Sequence, residues 1–233
     1  MLSVVIPCYN CSSYIPGHLA RLSEYLATQF QEFEIIAVDD GSSDNTVECL
    51  EEYAAKDTHA RVVVLAQNQG KGAAVEAGML ASRGDVIIFT DADLPYDLSA
   101  MTSFTRALDD ADVVLGTRQD NGEVNGQKIH RTTLSRIFVL LANAVLLNPV
   151  QDTQAGFKGF SRKAAQEIFK DVTIPGFGFD VEVIVLAQKK HLRIKSLPVI
   201  LVHQEPSTVR VARHGLQMCL DLFRIFWRHR IRA

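Results

Sequence analysis

No apolar run in this chain is long enough to cross a bilayer. The longest, residues 137–147, falls well short of the roughly 20 residues that a spanning helix needs. An excess of positive charge is missing too: 24 Lys and Arg stand against 27 Asp and Glu, a formal net charge of −3. That balance argues against a general nucleic-acid binder. Only the last turns are basic, with Arg224, Arg228, Arg230 and Arg232. Cysteine is scarce, and Cys8, Cys11, Cys49 and Cys219 build no zinc site. Cys8-x-x-Cys11 has no second pair and no His partner in the expected window. Cys8, at a strand end, reads as a packed free thiol, and the cysteine usage fits a reducing compartment. No secretory leader is legible, because residues 2–6 are too short an apolar stretch and no basic region precedes them. Neither G-x-x-x-x-G-K-S/T nor G-x-G-x-x-G occurs, which removes the P-loop and the dinucleotide fingerprint. Internal repeats, low-complexity tracts and interdomain linkers are not visible either.

What the 233 residues do contain is 47% hydrophobic side chains, ample for one large α/β domain. Short β-branched runs alternate with helical patterns. Residues 2–6, closed by Pro7, form a first strand. Ser12 or Ser13 caps a helix with Leu19, Leu22 and Leu26 on one face. Residues 34–38 form a second strand, Asp44 caps a helix over 46–56, and residues 61–65 form a third strand. A small-residue helix over 73–81 uses Gly78 for close packing. Strand 86–89, helix 98–109 and strand 113–115 follow. This βαβαβα order predicts a mostly parallel central sheet with helices on both faces.

Beyond residue 118 the pattern loosens into a polar loop over 119–128 with Gly122 and Gly126. An apolar helix over 131–147 carries Arg131 and Arg136 at its start. A loop over 152–158 leads into a short strand, and Ser161 caps a helix over 162–169. Asp180 caps a further helix reaching about residue 190. Pro198 implies that strand 192–201 is a sheet edge or carries a bulge. An amphipathic helix over 216–230 ends the chain. The predicted organisation is one domain over 1–212 and a basic amphipathic helix within 213–233.

Candidate chemistry sits at the ends of the strands. Residues 86–89 read as a strand buried on both faces, and it runs out into Asp91 and Asp93 before Leu94-Pro95 stops it. In an open parallel sheet, ligands bind beyond the carboxyl ends of the strands. Two oxygen donors there suit a hard divalent cation that also holds a phosphate. Tyr9-Asn10, Asp39-Asp40 and Arg118 end other strands and so share the rim. Asp39 can accept hydrogen bonds from a base or ribose, and equally it can cap the turn after its strand. Gly70 and Gly72 allow a ligand close to the backbone. A nucleotide diphosphate with a metal fits four such strand ends in series.

The motifs Val5-Ile6-Pro7-Cys8-Tyr9-Asn10, Asp39-Asp40-Gly41-Ser42-Ser43-Asp44-Asn45-Thr46, Asn68-Gln69-Gly70-Lys71-Gly72 and Asp91-Ala92-Asp93 resemble the family-2 glycosyltransferases of GT-A fold. Four later stretches narrow the resemblance: Gly116-Thr117-Arg118, His130-Arg131, Asp152-Thr153-Gln154-Ala155-Gly156-Phe157-Lys158 and Phe179-Asp180-Val181-Glu182. These look like the polyprenyl-phosphate glycosyltransferases, the dolichyl-phosphate mannose synthases and dolichyl-phosphate glucosyltransferases. The resemblance spans about residues 2–210 and implies a single GT-A domain.

It also implies roles. Pro7, Tyr9, Asn10, Asp39, Asp40, Ser42, Lys71, Asp91 and Ala92 would bind the nucleotide. Asp91 and Asp93 would hold Mg²⁺ or Mn²⁺ against the donor diphosphate. Arg118 and Arg131 would take the acceptor phosphate. Asp152 and Gln154 would face the sugar and metal, with Asp93 beside the sugar. Asp91, Asp93, Asp152 and Arg118 form the implied catalytic set. Two departures matter: the family usually has Glu just after the first motif's Asn, and here Cys11 and Ser12 follow Asn10; many relatives also carry membrane-spanning helices, and none is read in these residues.

The implied reaction is inverting transfer of a hexose from a UDP-glucose or GDP-mannose type donor to a polyprenyl or dolichyl phosphate. Such an acceptor is already ionised near neutral pH, so it needs cationic positioning rather than a strong base. Three alternatives differ in what they require. Transfer to a sugar hydroxyl needs a carboxylate base, for which Asp180 or Glu182 is the candidate. A sugar-phosphate nucleotidyltransferase would want a Gly-rich loop directly after the first strand, where this chain has Pro7-Cys8-Tyr9-Asn10. A non-catalytic membrane-surface protein would have no use for Asp39, Asp91 and Asp93 together. His203 reads as a strand-end residue.

Because the acceptor tail stays in lipid, the expected location is peripheral, on the cytoplasmic face of a membrane. Residues 131–147 and the tail helix would dock there. The tail places Leu216, Leu220, Phe223 and Trp227 at helical spacing beside Arg224, Arg228 and Arg230. A second copy of the chain or a membrane-anchoring subunit is a further expected partner.

Overall fold

The computed structural model describes residues 1–119, 123–124, 127–128, 142–143, 145–146, 149–202 and 211–231. A seven-stranded sheet runs through the middle, in the order β3-β2-β1-β4-β8-β5-β9. Its strands are β1 Leu2–Cys8, β2 Phe33–Asp39, β3 Ala60–Val64, β4 Val86–Thr90, β5 Val113–Gln119, β8 Phe157–Ser161 and β9 Ile194–Ile200. All pairings are parallel except those of β8, which lies antiparallel between β4 and β5. The predicted mostly parallel α/β sheet is therefore what forms.

Strands β1, β2 and β4 are continuous apolar runs because both faces of the sheet are covered. On one face α1 Ile15–Gln29, α2 Thr46–Ala54 and α4 Ala100–Ala107 contribute Leu19, Leu22, Leu26, Leu50, Met101 and Phe104. The other face is covered by α3 Lys71–Ala81, α5 Arg162–Phe169, α6 Phe179–Lys189 and α7 Val211–Phe226. Gly78 is needed in α3: a Cβ there would overlap Val5 and Val38 of the sheet beneath. Leu222 and Ile225 of α7 belong to this core, so the tail helix is built into the domain rather than appended to it. Among the described residues no helix is long and apolar enough to cross a membrane.

Several local expectations shift. Pro7 does not close β1, which continues to Cys8. β4 pairs only with Leu2–Val5, so the missing N–H of Pro7 costs that ladder nothing. Pro198 lies in β9, the edge strand, as expected. Neither Ser12 nor Ser13 caps α1. Tyr14 holds that position without a side-chain cap, and the backbone N and Oγ of Ser12 donate instead to Asp44 at 3.2 and 2.7 Å. Asp44 receives Thr46 N, but from one residue outside the Asn45 cap position. Ser161 does cap α5. The stretch 119–128 is not wholly loop: Glu123–Val124 (β6) and Gln127–Lys128 (β7) pair as a small antiparallel hairpin. The tail helix starts earlier than expected and finishes in a π-helical turn, Trp227–Ile231. Of the apolar segment 131–147, the described Ala142, Val145 and Leu146 are buried in the core. Arg136, Gly122, Gly126 and His203 lie outside the described residues.

Candidate active site

The end of β4 is pinned from three sides. Leu94 N donates to the Asp91 carbonyl at 3.0 Å, closing a tight turn. Leu94 takes a positive φ of 43° there, which turns its side chain into the core while Asp91 and Asp93 stay at the rim. From α1, His18 Nδ1 donates to the Ala92 carbonyl at 2.9 Å, and Arg21 reaches the Leu94 carbonyl at 3.5 Å. From the third side comes the loop before β8. Thr90 pairs with Phe157, which brings Gly156 against Asp91. Any Cβ at Gly156 would overlap the Asp91 carboxylate.

Lys71, the first residue of α3, places its Nζ 2.5 Å from Asp91 Oδ1. Burial opposes this ammonium, but Asp91, then Asp180 and Asp93, outweigh it and hold its pKa above the ordinary lysine value. The position at Asp91 thus already attracts a cation. Among the described residues no three His, Cys, Asp or Glu gather into a metal cage. Asp91 and Asp93 are the residues that would hold a hard divalent ion, and their carboxylate oxygens fit such a cation.

Beyond the ends of β1 and β2 lies an interlocked pair of loops. Asp39 is fully buried and accepts Ser42 N at 2.9 Å and Ser42 Oγ at 2.5 Å. Asn10, at φ 50°, donates its N–H to Ser42 Oγ and accepts Ser43 N at 2.8 Å. Asn10, Asp39 and Ser42 are therefore brought together, and Tyr9 is exposed while Pro7 lies in β1. Asp40 is placed differently, beneath the rim. It accepts Gln69 N at 2.7 Å and Gly70 N at 2.8 Å, and so braces the loop that delivers Lys71. Burial pushes its pKa up, against the pull of those two amides. Gly70 needs its φ of 107° there, with the Pro175 carbonyl where a Cβ would be. The departure at Cys11 and Ser12 is absorbed locally, since both are tied to the second motif through Thr46 and Asp44.

At the end of β5, Arg118 and Asp152 form a two-pronged ion pair. Arg118 Nε and Nη2 donate to the two Asp152 oxygens at 2.7 and 3.0 Å. Asp152 is fully buried. Burial would raise its pKa, but Arg118 outweighs that and holds it below the ordinary carboxylate value. Gln154 N also donates to Asp152, at 3.0 Å. Two side-chain oxygens flanking this pair, Thr117 Oγ1 and Thr153 Oγ1, are buried with no hydrogen-bond partner among the described residues. Arg131 and His130 lie outside the described residues.

Asp180 and Glu182 are engaged elsewhere. Asp180 does not cap α6, a position held by Gly178, but pairs with the buried Lys158 at 2.6 Å. Glu182 is fully buried and accepts Thr173 N, Thr173 Oγ1, Ile174 N and His229 Nε2. His229 thereby anchors the π-helical turn to the core. Lys158, His229 and His18 were not singled out from sequence. For Lys158 a signal existed, a lone charge in the apolar run Gly156-Phe157-Lys158-Gly159-Phe160.

The profile described as Glycosyl transferase family 2 matches residues 3–169. The dolichyl-phosphate beta-glucosyltransferase of Dictyostelium discoideum is 32% identical, over 98% of this chain and 74% of its own length. The enzyme of that name from Homo sapiens is 30% identical, over 98% and 75%. The one from Saccharomyces cerevisiae is 30% identical, over 95% and 72%. Among solved structures, glucosyl-3-phosphoglycerate synthase from Mycobacterium tuberculosis with Mn²⁺, UDP and phosphoglyceric acid superposes with a TM-score of 0.73. It covers 97% of this chain and 78% of that one at 19% identity. The same enzyme with Mg²⁺ and UDP gives 0.71, with 97% and 79% covered at 17% identity. At such identities these superpositions establish the fold.

Proposed function

Since the chain belongs to glycosyl transferase family 2, we propose that it is a hexosyltransferase that moves glucose from UDP-glucose to a dolichyl or other polyprenyl phosphate. Its relatives, dolichyl-phosphate beta-glucosyltransferases, point to that acceptor. The observation that carries the reading is the state of the acceptor-side carboxylates. Asp152, Asp180 and Glu182 are each buried and bonded to a cation or to backbone amides. A sugar hydroxyl needs a carboxylate to take its proton, and these three are committed. A phosphate monoester brings its own anionic nucleophile.

In the proposed step a phosphate oxygen attacks C1 of the hexose. The bond from C1 to the diphosphate oxygen breaks, its electron pair leaves with UDP, and the anomeric centre inverts. Mg²⁺ or Mn²⁺ at Asp91 and Asp93 would neutralise charge building on the departing diphosphate. Lys71 lies at the same carboxylate and supplies a second positive charge. Asn10, Asp39 and Ser42 frame the nucleoside end, and Arg118 with Gln154 frames the acceptor end. The deciding experiment is a screen of nucleotide sugars with a short polyprenyl phosphate, with and without metal. UDP release coupled to glucosyl-phosphate formation is expected. Transfer only to sugar hydroxyls, or binding without nucleotide release, would overturn the reading.

The same reading places the protein at the cytoplasmic face of a membrane, without a spanning helix of its own among the described residues. Free thiols at Cys8, Cys11 and Cys49 are consistent with a reducing compartment. On the tail helix Leu222 and Ile225 face inward, while Leu220, Phe223 (68% exposed), Phe226 and Trp227 are exposed beside exposed Arg224 and Arg228. The side chains of Leu216 and Arg230 lie outside the described ones. Apolar and cationic groups on one face suit the headgroup boundary of anionic lipid, where each basic residue contributes about 1 kcal/mol. The full chain is expected to co-sediment with anionic vesicles at low salt and to release as salt rises. The doubly substituted Phe223→Ser/Trp227→Ser chain is expected to bind several-fold less. Equal binding by both chains would remove this helix from the docking surface.

A further inference from the structure

A buried ammonium is costly unless it is paired, and apolar side chains of similar volume often serve a core as well or better. Lys158 is such an ammonium. It lies in β8, in the middle of the sheet, opposite Phe89 of β4 and Leu115 of β5, and is 1% exposed. Its neighbours in the same core include Phe89, Phe160 and Phe179, and its Nζ stands 5.4 Å from the centre of the Phe89 ring. Two hydrogen bonds hold it. One goes to Asp180 Oδ1 at 2.6 Å, in the first turn of α6, where a helix start favours a carboxylate. The other goes to the carbonyl of Ala155 at 2.8 Å.

The second bond is the one an apolar pair could not make. Ala155 is itself fully buried, and it joins Gln154 to Gly156, the residue seated against Asp91. A fixed Ala155 carbonyl therefore fixes the path of the chain from the Arg118–Asp152 pair to the Asp91 carboxylate. Lys158 also occupies Asp180, a carboxylate whose field reaches Lys71 together with those of Asp91 and Asp93. With Lys158 in place, Asp180 has a partner of its own, and Lys71 stays paired with Asp91.

We propose that Lys158, held by Asp180, is a positioning residue for transfer: it clamps the Ala155 carbonyl and keeps the 152–156 loop seated on Asp91 without touching either substrate. This rests on the glucosyltransferase reading for its kinetic arm and on the geometry alone for its structural arm.

The test compares the wild-type chain with Lys158→Met/Asp180→Leu, which removes both charges together, and with Asp180→Asn, which keeps the ammonium on Ala155. Four quantities are read: the thermal midpoint, UDP affinity by calorimetry, kcat, and amide hydrogen exchange at residues 154–156. The double variant is expected to melt close to wild type and to bind UDP within a few-fold. Its kcat should fall about 10²-fold, the usual result of a site displaced by about 1 Å. Exchange at 154–156 should be faster by tenfold or more. Asp180→Asn leaves the ammonium buried without its counter-charge, so it should melt below wild type and show exchange at 154–156 between those of wild type and the double variant. Unchanged exchange in the double variant, or UDP affinity falling in step with kcat, would overturn the clamp. So would an Asp180→Asn chain with the wild-type thermal midpoint and exchange pattern. If the wild-type chain transfers no glucose, the functional reading fails, and the exchange comparison still decides the clamp.

Discussion

Replacing Asp91 or Asp93 with Asn is expected to lower glucosyl transfer by about 10²-fold or more while leaving the fold intact, since removing a charge-stabilising element of this kind costs several kcal/mol of barrier. Both substitutions preserve size. Asn at 91 keeps the contact with Gly156 and the turn closed by Leu94 N, because that turn uses the backbone carbonyl. What is lost is negative charge at the one place where β4, α3 and the 152–156 loop converge. Lys71 would remain beside a neutral amide, with Asp93 and the paired Asp180 as its nearest other carboxylates. Initial rates at saturating Mg²⁺, with circular-dichroism melting as the folding control, measure the effect. Full turnover by either variant, or by the wild-type chain in excess chelator, would remove the cation from the mechanism.

The second large effect is expected at Arg118. Substitution by Ala leaves Asp152 buried without its main partner. Breaking a buried pair costs about 3–5 kcal/mol, and the lower end applies here because Arg118 is partly exposed and screened. Use of polyprenyl phosphate should fall far more than UDP affinity, since Asp39 holds its own loop through Ser42 at the end of β2 and Arg118 stands at the end of β5. Lys should rescue only in part, because a single ammonium cannot reproduce the fork. The pH dependence has a defined sign. Asp152 is depressed in the folded state, so its contribution to stability is complete above the ordinary carboxylate pKa of about 4. It is lost as pH falls through the lower folded value. The Arg118→Ala chain, lacking that depression, should have a flatter stability profile below about pH 4. Normal acceptor kinetics with weakened UDP binding would reverse the assignment of the two halves.

The sheet was legible in the sequence because strands buried on both faces are written as unbroken apolar runs, as in Val86 to Phe89. The rim was legible because polar residues follow those runs directly. What could not be read was which rim residues hold one another. Arg118 and Asp152 both stood out, but as separate binders of phosphate and sugar. Their pairing depends on an antiparallel strand that enters between β4 and β5, and no local pattern in Phe157–Ser161 specifies that direction. Asp180 was read as a helix cap because an Asp near a helix start satisfies amides so often. A long-range partner, 22 positions away, decided otherwise. Asp40 followed the same course: its bonds go to amides 29 and 30 residues on. The small hairpin at β6 and β7 is two residues a side, too short for alternation to register.

The antiparallel direction of β8 sets how much change of length the chain tolerates on either side of it. Because β8 runs against its neighbours, its first residue arrives at the rim where β4 leaves, and Thr90 faces Phe157 there. Side chains alternate faces along a strand, so one added residue after Gly156 would turn Lys158 toward the α1, α2 and α4 side of the sheet if Gly156 kept its place. If β8 kept its register instead, the insertion would carry Gly156 off Asp91. Either way the active site is disturbed, whereas an insertion between β3 and α3 would disturb mainly the Gln69–Gly70 loop. Relatives or designed variants that differ in length are therefore expected to keep the spacing from Asp152 to Lys158 fixed and to absorb the difference elsewhere.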